Sequence, residues 1–72
     1  MITEIASLLE QHGIAVKQID PVPNTHLFNV WLTVKFHKKE VVKALKQSAF
    51  ECYGGGIYHG KPLAIIARKV GL

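Results

Sequence analysis

The stretch FNVWLTVKF, residues 28–36, alternates with a period of two. Phe28, Val30, Leu32, Val34 and Phe36 fall on one face of an extended strand, and Asn29, Thr33 and Lys35 fall on the other. Such alternation marks a strand buried on one side. The chain must therefore cover one sheet face with other elements. Trp31, the only tryptophan of the chain, stands with the polar set and so points away from the core.

The flanking segments supply the rest of a two-layer fold. Ile2, Ile5, Leu8 and Leu9 recur at helical spacing, which predicts a helix over 3–12 with Thr3 as its cap and Glu4 in its first turn. Gly13 stands where a helix end favours positive φ. IAVKQID predicts a short strand over 14–19, ended by DPVPN, whose two prolines break pairing. The alternating strand is placed at 26–36. In HKKEVVKALKQ the apolar residues Val41, Val42, Ala44 and Leu45 predict a helix over 38–47. AFECY and PLAIIAR read as two further strands, joined at YHGK or at the earlier YGGG. The expected class is α+β: an αββαββ order, with an antiparallel sheet carrying both helices on one face.

Seventy-two residues make one domain, and so short a chain buries little more than ~60% of its unfolded surface. An apolar content of 49% against 19% charged residues is a folding composition, not a disordered one. Cys52 is the single cysteine, which excludes an internal disulfide and fits a reducing, cytoplasmic setting. The start, MITEIASLLEQHG, reads as a helix rather than a secretory signal. No apolar run approaches the ~18 residues of a bilayer span, so no membrane partner is expected.

Catalytic and metal-site patterns are poorly represented. His12, His26, His37 and His59 have neither metal-ligand spacing nor a cysteine pair beside them. Cys52 lies with Phe50 on one strand face and reads as core. The five carboxylates form no acid–base pair. The triplet at Gly54–Gly56 has no Walker or G-x-G-x-x-G context, so it reads as a strand-end bulge or hairpin segment, not a phosphate cradle. A binding protein without cofactor or metal is expected, not an enzyme.

Charge is the positive signal. Residues 1–34 hold Lys17 against three acids, net −2, whereas residues 35–72 hold eight basic residues against Glu40 and Glu51, net +6. Lys35, Lys38, Lys39, Lys43 and Lys46 fall within twelve residues. They are expected to run from the polar face of the alternating strand, beside Trp31, onto an exposed helix face. Lysines displace counterions from phosphates, and an aromatic ring offers a stacking platform. With Lys61 and Arg68 these residues form the candidate nucleic-acid site, DNA being favoured over RNA. Two other readings of Trp31 stay open. The ring anchors a protein interface, making the domain an interaction or inhibitor module and a homodimer through this face, or a loop of the same chain covers it.

Two resemblances extend this reading. IASLLEQHGIAV, DPVPNTHLFNVWLTV and IYHGKPLAIIARKV resemble the small α domain that precedes the motor of FtsK-type bacterial DNA translocases. That resemblance implies an α+β domain that lines or approaches duplex DNA within a ring; translocation does not carry over, since no Walker motif is present, and an accessory role is expected from the small size of the chain. More locally, VWLTVKFHKKEVVKALK and HGKPLAI are similar to part of an RNA-recognition motif. Trp31 would take one aromatic position of its stacking strand, and Thr33 stands in the second.

Overall fold

The computed structural model describes residues 2–69. Its elements run α1 (Ile2–Glu10), β1 (Val16–Pro21), β2 (Leu27–Leu32), α2 (Lys38–Leu45), β3 (Phe50–Tyr58) and β4 (Lys61–Arg68). The four strands form one sheet in the order β1-β2-β4-β3, and each neighbouring pair is antiparallel. This is a small α+β domain.

α1 turns Ile5 and Leu9 fully inward. Its end follows from Gly13, whose φ of 75° is costly for any residue with a Cβ. The Gly13 N–H donates to Glu10 O and the Ile14 N–H to Leu9 O, each at 3.0 Å. These paired bonds, with Leu9 and Ile14 both buried, make a Schellman close. His12 Nδ1 donates to Leu8 O at 3.1 Å, at the helix end that favours positive charge. Thr3 is the second residue of α1 and does not cap it.

β1 begins two residues later than expected and carries Pro21 as its last residue, a position an edge strand tolerates. Between β1 and β2, Asn24 takes φ 62°. Thr25 Oγ1 donates to Val22 O at 2.8 Å and accepts from Leu27 N at 3.0 Å. The β3–β4 hairpin turns at His59 and Gly60, with φ 50° and 75°. Positive φ at both central residues is the turn whose twist matches paired strands.

In β2 the alternation holds: Phe28, Val30 and Leu32 are buried, and Leu27, Asn29 and Trp31 are half-buried. Across the sheet, Val30 faces Ala64, and Phe28 faces Ile66. Phe28 meets Phe50 edge to face at 6.0 Å. These residues join Ile5, Leu9, Val41, Ala44 and Leu45 in one core, so both helices cover the same sheet face. Leu63 and Ala67, opposite Trp31 and Leu27, are buried but belong to the other face.

Three expectations are corrected. β2 stops at Leu32: the chain bends at Thr33–Val34, Val34 is 62% exposed, and only Phe36 turns back against the core. Val42 is exposed, so the apolar stripe of α2 is Val41, Ala44 and Leu45. The glycine triplet lies inside β3, which continues to Tyr58. The bulge precedes it, leaving Tyr53 as the extra residue between Cys52 and Gly54.

Candidate nucleic-acid interface

α2 starts at Lys38 because His37 is extended (φ −99°, ψ 137°) and Glu40 Oε1 accepts its N–H at 3.3 Å. With Val41, Ala44 and Leu45 facing the core, the helix must turn its lysines outward. Lys38, Lys39, Lys43 and Lys46 are all exposed and border one shallow depression floored by Val42. Glu40, the single acid of the helix, is held on the His37 amide. Lys69 extends the basic surface: its Nζ donates to Lys46 O at 3.3 Å, at the negative pole of α2. Sequence reasoning missed Lys69, because nothing in the terminal RKV pattern places it against a helix end.

Lys35 does not lie beside Trp31. The bend after Leu32 carries it towards the helix layer. There Lys35, Phe36 and Lys38 line a cleft of about 340 Å³ with Gly54–Gly56 and Ile57. Lys35 thus continues the α2 surface, since Lys38 borders both depressions.

Trp31 occupies the sheet face that neither helix covers. Its Nε1 donates to Asp20 Oδ2 at 3.2 Å, and Gln18 Nε2 holds the same carboxylate at 2.9 and 3.0 Å. The Tyr58 ring lies 6.3 Å from the indole, and His59 packs edge-on against Tyr58 at 4.5 Å. Lys17, Gly60 and Lys61 surround the depression beside the indole. The expected single site is therefore divided. Trp31 and Lys61 belong to the open sheet face, whereas Lys35 and the α2 lysines belong to the helix layer. Arg68 does not reach Trp31: it sits opposite Phe50, on the helix side of the sheet, five positions along β4 from the residue facing Trp31, roughly 17 Å away. Lys17 and Tyr58 were missed. The first is the bulged residue of β1 and the second lies beyond the glycines, where the strand signal fades.

Cys52 is half-buried against the core, and its Sγ donates to Gly54 O at 3.6 Å. Burial pushes its thiol above the ordinary value, opposed by the Lys38 ammonium. Among the described residues, no cluster of three or more His, Cys, Asp or Glu side chains has metal-holding geometry, and no helix is long and apolar enough to cross a membrane.

The chain gives no significant match to any protein-family model, curated protein or solved structure.

Proposed function

We propose that this domain is a nucleic-acid-binding accessory module, favouring DNA, that grips phosphates through α2 and the connection before it. One observation carries the reading: Lys35, Lys38, Lys39, Lys43 and Lys46 share one exposed surface whose only nearby helix acid is engaged by the backbone. Lys39, Lys43 and Lys46 span about 10 Å along the helix, a row suited to charge pairing along a phosphate backbone. Trp31 faces away from this row, so binding is electrostatic and indifferent to base identity. The resemblance to a domain that approaches duplex DNA points the same way. Titration of labelled duplex DNA, single-stranded DNA and RNA tests it. Lys39→Gln/Lys43→Gln/Lys46→Gln should weaken binding to all three while the fold is retained.

A second reading, a homodimer or protein contact through the sheet face, has its own support. Both helices lie on the opposite face, so neither helix covers the half-buried Trp31 and Ile65 or the exposed Tyr58.

A further inference from the structure

The two edges of the sheet differ. β1 is guarded by devices that discourage strand addition: Pro21, a bulge at Lys17, and the polar pair Gln18 and Asp20. β3 is not. After its bulge, Gly54–Tyr58 pairs with β4 in unbroken register, and this run holds no charge and no proline. Among the described residues no strand pairs with its outer side. Of the five large apolar residues strongly exposed among the described residues, three, Tyr53, Ile57 and Tyr58, lie on this one strand.

The glycines leave room beside the edge on both faces. On the helix side is the cleft between Lys35, Phe36 and Lys38. On the open side a hollow of about 210 Å³ is bordered by Tyr58, Leu63 and Ile65. A Cβ at Gly54 or Gly56 would meet nothing within 4 Å. A strand added to such an edge gains backbone hydrogen bonds, and its alternate side chains enter alternate faces.

We propose that the free edge of β3 receives an extended acidic peptide segment of a partner protein. The segment pairs with Gly54–Tyr58, sets carboxylates against Lys35 and Lys38, and sets apolar side chains against Tyr58, Leu63 and Ile65. Charge selects this occupant over a second copy of the chain. Edge pairing of two copies about a two-fold normal to the sheet keeps each face on its own side. The copy would bring Cys52, Gly55 and Ile57 to the helix side, with no acid among them, because Glu51 shares the other face with Ala67. It would also bring two sets of Lys35 and Lys38 towards each other, which is repulsive.

The test uses blocked synthetic peptides of about seven residues, one alternating Glu and Val and the other Lys and Val, followed by NMR amide shifts and hydrogen exchange. The Glu–Val peptide should shift and protect amides of Gly54–Tyr58, the Lys–Val peptide should not, and N-methylation of alternate peptide amides should abolish the effect. Lys35→Glu/Lys38→Glu should reverse the preference by about tenfold, as expected for two partly exposed ion pairs; reversal cannot arise from misfolding. Lys43→Gln/Lys46→Gln should weaken nucleic-acid binding yet leave the peptide unaffected, so this proposal and the nucleic-acid reading fail separately. Equal binding of the two peptides, shifts confined to α2, or a protein already dimeric with protected β3 amides would overturn it.

Discussion

The indole of Trp31 on β2 donates a hydrogen bond to the Asp20 carboxylate on edge strand β1, at 3.2 Å. The two residues are diagonal neighbours across the pair, since Trp31 faces Gln18 and Asp20 faces Asn29. The bond ties the ring to the sheet surface, where one side of it rests near Tyr58. Trp31→Phe keeps an aromatic ring and loses the donor, and should cost about 1 kcal/mol in urea unfolding. Trp31→Ala should cost less than the ~3–5 kcal/mol typical of a fully buried Trp. If the sheet face is a dimer contact, Trp31→Ala also loses on the order of 2 kcal/mol of association, read as a shift to monomer in sedimentation. Global unfolding of Trp31→Ala would show that the ring belongs to the core.

The glycine triplet gives a sharper test of the backbone. Gly55 has φ 153°, and a Cβ there would lie 2.6 Å from Leu63 O and 3.3 Å from the Phe36 ring. Gly55→Ala should therefore destabilise the domain by roughly 1–3 kcal/mol through backbone displacement in the β3–β4 ladder. At Gly54 the same Cβ meets open space and no positive φ stands against it. Gly54→Ala should be neutral or stabilising by up to about 1 kcal/mol. Thermal melts of the two variants compared side by side check the contrast, and equal destabilisation would refute the strand assignment of the triplet.

Cys52 predicts a pH effect. Burial raises its pKa in the folded chain, so the folded state prefers the neutral thiol. The stability tied to this preference is fully present below the ordinary thiol value of 9.0 and is lost as pH rises through the higher folded value. As pH rises from 9.0 through that higher value, the fall in stability should be shallower in Cys52→Ala than in the parent chain, as read from urea midpoints across the alkaline range. Cys52 should also react slowly with thiol reagents at neutral pH, because little thiolate is present.

The sequence carried the fold further than the site. Alternation placed Phe28, Val30 and Leu32 inside and Trp31 outside, because a half-buried strand writes its two environments into every second residue. The same alternation then ran too far. Val34 fits the pattern, but the chain has already bent at Thr33, and no hydropathy signal marks that bend. Lys35 moved with it, from the sheet face to the cleft beside Gly55. Glycine has no side chain to alternate, so β3 looked shorter than it is and Tyr58 was not seen to reach Trp31. The lysines of α2 were legible because a 3.6-residue period separates them from Val41, Ala44 and Leu45. What no pattern encodes is that Tyr58 of β3 comes to lie beside Trp31 of β2 on the open sheet face.

The phosphate reading is tested most directly by the salt dependence of duplex DNA binding. The slope of log K against log salt counts the phosphates neutralised, at about 0.9 for each phosphate. For Lys39→Gln/Lys43→Gln/Lys46→Gln, the slope should flatten by up to that amount for every phosphate left without its lysine, with binding weakened and the melting transition unchanged. Trp31→Ala, on the other face, should leave the slope as it is. A triple variant that binds duplex DNA with the parent affinity and the parent slope would contradict the assignment of α2 as the phosphate-binding surface.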